Sequence, residues 1–296
     1  MKWVLIDLSY LAHRARYATR DLEYEDIPTG IIYGFFEQLY SICKTSHINS
    51  NKVLIFTDSK KSYRSRTYPD YKKKRREQRT EEEQEQLNIM YKQINKLKNK
   101  ILPQIGFPVY KQVGLESDDL IAWAAKELTR KNENGVIITS DGDLYQCITS
   151  CIHWYDPGKE LLMNKKTFLY KKGIETKLWG EVKALAGCSS DCVPGLKNIG
   201  EKTAIKWLKG EAISDKRRKI IEQGKIEIKM WRKLTVLPHK KTKPFELHIP
   251  KYDSKMFFKF CKQYHILSYF KSKKRLQWIK FFKGTFKGRI KRRKRK

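Results

Sequence analysis

Residues 3–7 read WVLID, residues 53–58 read VLIFTD and residues 136–141 read VIITSD, so three short apolar runs each lead into an aspartate. Continuous apolar runs of this length, separated by helix-length segments, are typical of strands buried on both faces of a parallel sheet. The sequence therefore predicts an α/β domain in three layers. Aspartate also favours turns after strands, but ligands bind beyond the carboxyl ends of parallel strands. We expect three carboxylates to converge there, those of Asp7, Asp58 and Asp141.

A second acidic cluster opens a predicted helix at residues 114–119, which read GLESDD. Ser117 suits a helix N-cap and acids suit the positive end of the helix dipole, so the segment alone is explained as a helix start. Beside the strand-end aspartates, however, its acids would join a crowded group that repels itself unless cations bind. The sequence therefore predicts a metal site with carboxylates from Asp7, Asp58, Glu116, Asp118, Asp119, Asp141 and Asp143.

Residues 68–87 read YPDYKKKRREQRTEEEQEQL and form the centre of a densely charged segment. Thr80, followed by three glutamates, predicts a helix N-cap and a long exposed helix after it. The basic stretch at residues 72–79 fits a solvated loop, but neighbouring tyrosines such as Tyr71 favour a nucleic-acid contact. Basic side chains would bind phosphates there and aromatic rings would contact bases.

The composition changes after Lys183, where residues 182–208 read VKALAGCSSDCVPGLKNIGEKTAIKWL. Proline, glycine and asparagine punctuate a turn between predicted helices, and Asn198 suits a left-handed backbone better than other non-glycine residues. Amides exposed in such a turn can bind a DNA phosphate. The last stretch, FKGTFKGRIKRRKRK at residues 282–296, is predicted to be a disordered basic tail.

Charge and composition restrict the class of protein. Over 296 residues, 64 Lys and Arg against 32 Asp and Glu give a net charge of +32. The expected partner is a polyanion, nucleic acid first, although a lysine-rich surface also serves solubility. No run approaches the roughly 18 to 20 apolar residues of a membrane span, and the first residues do not fit a signal peptide. Six thinly spread cysteines suit free thiols, so we expect a soluble intracellular protein with no membrane partner.

Together these motifs resemble those of the 5′ nucleases, the family that includes phage flap endonucleases, 5′→3′ exonucleases and the 5′-nuclease domain of bacterial DNA polymerase I. The resemblance follows the family's order from about Val4 to about Phe270. The matching segments are VLIDLSYLAHRARYA, FTDSKKSYRSRTYPDYKKKR, GLESDDLIA, ITSDGDLYQ and LAGCSSDCVPGLKNIGEKTA. Each segment alone is a weak signal, whereas all of them in order make a chance match very unlikely.

The resemblance implies a role for each matching residue. A first metal ion would be held, partly through water, by Asp7, Asp58, Glu116 and Asp118, with Asp119 in the same acidic motif. A second ion would be held by Asp141, Asp143 and Asp191. Catalytic phosphate contacts would come from Arg14, Lys72, Arg75 and Lys183. With the aromatic contact included, the expected DNA-binding residues are Arg64, Tyr71, Gly195, Asn198, Gly200 and Lys202.

The fold implied by the resemblance is a PIN-like three-layer α/β domain with a mostly parallel sheet, a helical arch and a helix–turn–helix DNA clamp. We expect the catalytic domain at residues 1–180 with its arch at about 60–100, the clamp at 181–270 and a basic tail at 271–296. The implied activity is 5′→3′ exonuclease or flap endonuclease action that uses two Mg²⁺ or Mn²⁺ ions, with K⁺ at the clamp turn. Expected substrates are 5′-flap, nicked or RNA-primed DNA, bound by a monomer in the cytoplasm of a bacterium or phage-infected host. The basic tail leaves a nuclear location open.

The sequence departs from the family pattern at several positions. Leu8 stands where the family usually has glycine, Asn198 replaces a turn glycine, and Cys192 replaces an asparagine. Cys188 occupies the position of an aspartate of the second metal site. Since Mg²⁺ prefers hard oxygen ligands, we expect the thiol to weaken that site.

Three alternatives remain open at this level. Four cysteines, at positions 147, 151, 188 and 192, suggest zinc, but their three-residue gaps are not the usual ligand spacing. The loss of an acid at Cys188 also fits a DNA-structure-binding protein with little catalysis, although such a protein has little reason to keep the other acids. An RNA-directed PIN-like nuclease shares the sheet and acids but normally lacks the arch and clamp.

Overall fold

A computed structural model describes residues 2–285, apart from the side chain of Arg76. Its β-strands are β1 (Trp3–Asp7), β2 (Glu23–Tyr24), β3 (Ile27–Pro28), β4 (Lys52–Phe56), β5 (Val109–Tyr110), β6 (Gly135–Ile138), β7 (Ile152–Asp156) and β8 (Leu161–Met163). Its α-helices are α1 (Leu8–Thr19), α2 (Gly30–Cys43), α3 (Tyr63–Thr67), α4 (Lys74–Glu77), α5 (Glu81–Lys96), α6 (Leu102–Ile105), α7 (Ser117–Arg130), α8 (Lys165–Lys172), α9 (Trp179–Ala186), α10 (Glu201–Leu208), α11 (Asp215–Gln223), α12 (Lys225–Thr235), α13 (Ser254–Gln263) and α14 (Ser272–Phe282).

The central sheet has six strands in the order β5-β4-β1-β6-β7-β8. Its pairs are parallel except for β8, which runs antiparallel to β7. Val4 of β1 pairs with Val53 on one side and Val136 on the other, so the three apolar runs form neighbouring strands. The predicted mostly parallel sheet is confirmed.

Both faces of the sheet are covered, which explains why the strands are apolar throughout. Val4 and Ile6 of β1 point into one core, which α1 and α2 cover, while Leu5 points into a second core, which α7 covers. All three side chains are fully buried. Burial of an aliphatic side chain of this size contributes about 1.5–3 kcal/mol, so the two faces stabilise the predicted three-layer arrangement.

The predicted helix after Thr80 is present, and one of its faces is buried. Thr80 caps α5 through a capping box with Glu83. Leu87, Met90 and Ile94 are buried in the core that α1 and α2 share, and a π-helical turn at Leu97–Ile101 joins α5 to α6. The prediction of a long exposed helix therefore holds for one face of α5 and is wrong for the other face, where apolar residues at helical spacing pack inward.

The C-terminal prediction is also wrong in part. Residues 272–282 form α14, and Trp278 and Phe281 are buried against aromatic residues of α13 and α2 such as Phe257 and Phe36. The predicted domain boundaries are therefore wrong at this end of the chain, where we expected a clamp at 181–270 and a tail at 271–296. Residues of both α13 and α14 pack instead into the core that α1 and α2 cover. The remainder of the tail, residues 286–296, lies outside the described residues.

Two further observations concern the described residues. None of their helices combines the length and apolar character that crossing a membrane requires. All six cysteines are free thiols. Cys147 and Cys151 belong to no group of metal-ligating side chains found among residues 2–285, so the zinc alternative that joined them to Cys188 has no support there.

Candidate active site

The strand-end aspartates meet at one edge of the sheet, as predicted. Asp7 is the last residue of β1, Asp58 is the second residue after the neighbouring β4, and Asp141 follows β6 on the other side. Parallel strands end at the same edge, so this topology places the three carboxylates in one crevice. The acidic segment before α7 joins them there.

Two serines hold the first group of carboxylates, which comprises Asp7, Asp58, Glu116 and Asp118. The Ser9 backbone N–H donates to Asp7 at 2.9 Å, and the Ser9 hydroxyl donates to Asp58 Oδ2 at 2.8 Å. The Ser117 backbone N–H donates to Asp58 Oδ1 at 2.9 Å. Asp7 is the N-cap of α1 and Glu116 is the N-cap of α7, so helix starts fix the chain at both places.

The electrostatics of this first group favour a bound cation. Burial, followed by the charge of Asp58, raises the pKa of Asp7 to about 8. Burial and the charges of Asp141 and Asp7 raise the pKa of Asp118 well above its usual value. Within the described residues the Asp118 side chain accepts no hydrogen bond, so a cation would supply the compensation that the protein does not.

The second group contains Asp143, Cys188 and Asp191, whose ligand atoms all lie within 4.8 Å of one another. Asp141 lies beside it and accepts a hydrogen bond from the Asp143 backbone N–H at 2.8 Å. The Cys188 Sγ lies 3.8 Å from Asp143 Oδ2 and 3.1 Å from the Ser190 hydroxyl. Cys188 therefore faces the carboxylates. Burial and Asp141 raise the pKa of Asp143 to about 6, although the nearby Lys183 acts to lower it.

Lys72 and Arg75 link the two groups. Lys72 has a left-handed backbone with φ 58°, its N–H donates to the Asp191 carbonyl at 2.9 Å, and its Nζ donates to Glu116 at 3.1 Å. Arg75 donates to Asp191 Oδ1 at 2.7 Å. Burial disfavours the charge of Lys72, but Glu116 and Asp191 outweigh it and raise its pKa. The predicted arch cations thus lie directly beside the carboxylates.

Tyr71 lies in this site and not on a DNA-facing surface. Its side chain is only 3% exposed, and its hydroxyl lies 3.0 Å from Glu116 Oε2 and 3.1 Å from Asp191 Oδ2. A ring buried in this way cannot stack on a base, which contradicts the predicted DNA contact. Tyr71 instead joins one carboxylate from each group.

Arg64 and Asp119 form a buried ion pair and do not have their predicted roles. Arg64 is 2% exposed, and its guanidinium donates to both Asp119 oxygens at 2.6 and 2.7 Å. The His239 backbone N–H also donates to Asp119, at 2.7 Å. Burial acts to raise the pKa of Asp119, but Arg64 holds it below its usual value. Asp119 therefore has no free oxygen for a metal, and Arg64 cannot reach DNA.

The other two predicted phosphate contacts differ in position. Lys183 lies on α9 with its Nζ 3.6 Å from Asp143 Oδ1, so it belongs to the second group. Arg14 lies on α1, and its guanidinium donates to the Tyr10 hydroxyl at 3.3 Å, which contacts Asp156 at 3.3 Å. Within the described residues Arg14 makes no ion pair with either carboxylate group, so it belongs to neither of them.

The predicted turn joins α9 to α10. Gly195 and Asn198 both have a left-handed backbone, with φ of 67° and 64°. A Cβ added at Gly195 would lie 2.3 Å from the Gly187 nitrogen, so the close approach requires glycine there. Within the described residues the N–H groups of Asn198 and Gly200 have no hydrogen-bond acceptor. Gly200 faces open space and Lys202 is exposed, so the turn is accessible.

Sequence reasoning missed the residues that support the site. Ser9 was not singled out, although a serine two residues after a strand-end aspartate is a signal for side-chain hydrogen bonding at a helix start. The predicted N-cap role of Ser117 is wrong, because Glu116 is the N-cap of α7 and Ser117 instead donates its backbone N–H to Asp58. The contact between His239 and Asp119 had no local signal, since 120 residues separate them.

The sequence of this chain is similar to those of known nucleases. Residues 2–178 match the family model described as 5′-3′ exonuclease, N-terminal resolvase-like domain. A 5′-3′ exonuclease of Buchnera aphidicola subsp. Schizaphis graminum is 31% identical over 207 residues, which are 70% of this chain and 69% of that protein. A thermostable DNA polymerase I of Thermus thermophilus is 31% identical over 209 residues, which are 70% of this chain and 24% of the polymerase.

Solved structures share the fold at lower identity. The T5 D15 protein co-crystallised with metal ions has a TM-score of 0.68 and 18% identity, over 80% of this chain and 90% of that one. The catalytic core of Rad2 in complex with DNA substrate has a TM-score of 0.56 and 19% identity, over 95% of this chain and 92% of that one. The family match spans more than half of the chain. The chain therefore belongs to the 5′-3′ exonuclease family, whose members are hydrolytic nucleases.

Proposed function

We propose that this protein is a divalent-metal-dependent 5′ nuclease that hydrolyses phosphodiester bonds of DNA near 5′ ends and at junctions of single and double strands. The observation that carries the proposal is the pair of carboxylate groups at one sheet edge, joined through Tyr71, Lys72 and Arg75. A phosphate bound between these groups would meet metal ligands and cations together, as phosphodiester hydrolysis requires.

The residues present fit divalent cations. Asp7 and Asp118 are half-buried acids with raised pKa values, and the second group offers ligand atoms close enough to share one ion. Asp7, Asp58, Glu116 and Asp118 would hold one ion, and Asp141, Asp143, Cys188 and Asp191 the other. When bound, Mg²⁺ or Mn²⁺ supplies a nucleophilic water at neutral pH and neutralises charge on the leaving oxygen.

Lys72 and Arg75 would bind the scissile phosphate. Both are held beside the carboxylates by ion pairs, at 3.1 Å from Glu116 and 2.7 Å from Asp191. Metal binding would neutralise those acids and leave the two cations able to contact phosphate oxygens instead. The contact with Glu116 already places the Lys72 ammonium beside the carboxylates, which would reduce the reorganisation needed when the substrate binds.

The turn between α9 and α10 would bind the duplex arm. The N–H groups of Asn198 and Gly200 are available for phosphate oxygens, and Lys202 adds a positive charge beside them. Carbonyl groups of such a turn would suit a K⁺ ion. Contacts of this kind do not depend on base sequence, so the enzyme would recognise DNA structure.

The names of similar proteins support the choice of substrate. The T5 D15 protein is described as a flap endonuclease, in a pseudo-enzyme–product complex with DNA and metal ions. The Rad2 core is described in complex with DNA substrate. We extend flap and 5′-end cleavage to this chain because it combines the carboxylate groups, the basic segment before α5 and the α9–α10 turn.

A second candidate is a DNA-structure-binding protein with weak catalysis. It is favoured by one observation, the Cys188 thiol in the second carboxylate group, where a hard oxygen ligand would bind Mg²⁺ better. The intact first group, Lys72 and Arg75 favour the enzyme.

A single gel distinguishes the two candidates. End-labelled single strand, nicked duplex, 5′ flap and RNA-primed duplex are each incubated with the protein and Mg²⁺, Mn²⁺ or EDTA. The nuclease should cut the 5′ flap near the junction with either metal and cut nothing in EDTA. Binding of the flap DNA without cleavage in any metal would instead favour the binding protein.

A further inference from the structure

A basic cavity of about 290 Å³ lies outside the candidate active site, between α3 and the segment after α12. It is lined by side chains that include Tyr63, Arg66, Lys233, His239, Lys240 and Lys241. None of the described residues that line it is acidic. A cavity with this lining suits an anion the size of a phosphate group together with part of its neighbouring sugar.

The wall of the cavity contains a stacked pair of rings in addition to surface lysines. The Tyr63 and His239 rings stack with centroids 5.6 Å apart and planes 11° from parallel. The Lys241 Nζ lies 4.1 Å from the centroid of the Tyr63 ring, and the Arg66 guanidinium carbon lies 5.6 Å from it. Cation–π contacts of this kind hold positive charges at defined positions.

The four cations of the cavity have no acidic partners within the described residues. Arg66, Lys233, Lys240 and Lys241 make no ion pair with any residue of the described chain. The buried acid nearest to the wall, Asp119, accepts from the His239 N–H at 2.7 Å but is neutralised by Arg64. The charges of the cavity are therefore available to a ligand.

His239 adds a hydrogen-bond donor to this wall. Its Nδ1 accepts from the Lys241 backbone N–H at 3.3 Å, so Nε2 carries the proton of the neutral ring. Burial and the charge of Arg64 lower the pKa of His239, which keeps the ring neutral at physiological pH. A neutral N–H donor among cations suits an oxyanion.

The cavity lies one buried ion pair away from the candidate active site. Arg64 contacts Asp119 at 2.6 Å, and Asp119 holds the cavity wall at His239. The same nitrogen of Arg64, Nη1, lies 3.8 Å from Glu116 Oε2 in the first carboxylate group. A strand that enters the active site can therefore place another of its phosphates in this cavity.

We propose that the cavity binds a phosphodiester group of the substrate strand, as a third contact besides the active site and the α9–α10 turn. The proposal rests on the proposed function and adds a recognition site to it. Lys241 covers the Tyr63 ring, so that ring is not free to stack on a base, and recognition would be independent of base sequence.

The test compares two double variants that remove the same charge. Lys240→Ala/Lys241→Ala alters the cavity, and Lys259→Ala/Lys262→Ala removes two exposed lysines of α13, on the opposite core. Affinity for a 5′-flap DNA is measured in EDTA at several salt concentrations, with thermal melts as the folding control. The cavity variant should bind about tenfold more weakly than the α13 variant, with a log–log salt slope lower by about 1 to 2.

Equal effects of the two double variants would overturn the proposal, because general charge would then explain both. Failure of the wild type to bind or cut any DNA would instead overturn the proposed function. A titration with dTMP distinguishes the phosphate source: millimolar dTMP should not displace DNA from the wild type. Displacement that the cavity variant lacks would assign the cavity to a terminal phosphomonoester and overturn the assignment to the strand.

Tyr63 is a positioning residue in this proposal, since it acts through Lys241. Tyr63→Phe keeps the ring and should retain the wild-type affinity and salt slope. Tyr63→Leu removes the ring and should reproduce the lower salt slope of Lys240→Ala/Lys241→Ala. The same slope in Tyr63→Leu and Tyr63→Phe, at equal melting temperatures, would show that the ring does not position the charge.

Discussion

At the residue scale, two adjacent acids at the start of α7 have different surroundings. Asp118 is a half-buried carboxylate with no hydrogen bond in the described structure, whereas Asp119 is fully buried and paired with Arg64. The sequence could not show which of the two acids is paired, because Arg64 lies 55 residues before Asp119. Arg64 was itself predicted to contact DNA. Local spacing predicts which acids share a helix start, but tertiary packing decides which of them stays available for a metal.

Asp119→Ala should lower the free energy of unfolding by about 3–5 kcal/mol, because it leaves Arg64 buried without its partner. Asp118→Ala removes repulsion from the carboxylate group and should leave the free energy of unfolding in EDTA unchanged or higher. Urea denaturation in EDTA measures both. Equal losses of stability in the two variants would contradict the division of roles.

Cys188 is the departure from the family pattern that the structure places in the second carboxylate group. Cys188→Asp restores an oxygen ligand, so the Mg²⁺ concentration for half-maximal cleavage should fall about tenfold, or about 1.4 kcal/mol in binding free energy. DNA affinity in EDTA should not increase. Melts with and without metal control for the added repulsion, and an unchanged Mg²⁺ requirement would show that this position does not serve the metal.

At the element scale, local patterns predicted the strands and several helix starts. Apolar runs identified β1, β4 and β6, and Thr80 was recognised as the cap of α5. The buried face of α5 was missed because the charge density of the segment suggested an exposed helix. The helical spacing of Leu87, Met90 and Ile94 is a local signal for an apolar face, but only tertiary packing shows that α1 and α2 cover it.

The turn between α9 and α10 provides a matched pair of glycines. Gly195→Ala should destabilise the protein by about 2 kcal/mol or more and weaken duplex binding, because its left-handed backbone packs against Gly187. Gly200 has φ −89° and open space around it, so Gly200→Ala should change stability by no more than about 0.5 kcal/mol. Thermal melts and duplex-binding titrations check both. Similar melting temperatures in the two variants would contradict the geometry.

At the scale of the whole molecule, the C-terminal helices complete the first core. The sequence suggested a basic tail because lysines surround the aromatic residues of α14. Trp278 and Phe281 are nevertheless buried, against partners in α2 and α13. Contacts between the two ends of the chain have no local signal, which explains why the predicted domain boundaries failed there.

Trp278→Ala should destabilise the protein by about 3–5 kcal/mol, because it leaves a large cavity in an aromatic cluster. Denaturation curves test this packing, and a Trp278→Ala protein of full stability would contradict it.

A chain that ends after Thr285 keeps α14 and should melt within a few degrees of the wild type. That shorter chain should also show a lower salt slope of DNA binding if residues 286–296 contact phosphates.

The central claim is that the carboxylate groups form a metal-dependent 5′ nuclease site, and single-turnover cleavage of a 5′-flap DNA tests it most directly. The wild type should release the flap strand in Mg²⁺ and leave the DNA intact in EDTA. Asp118→Asn should cleave at least about 100-fold more slowly while it keeps its melting temperature and its DNA affinity in EDTA. Cleavage by Asp118→Asn at the wild-type rate, or wild-type cleavage that persists in EDTA, would contradict the claim.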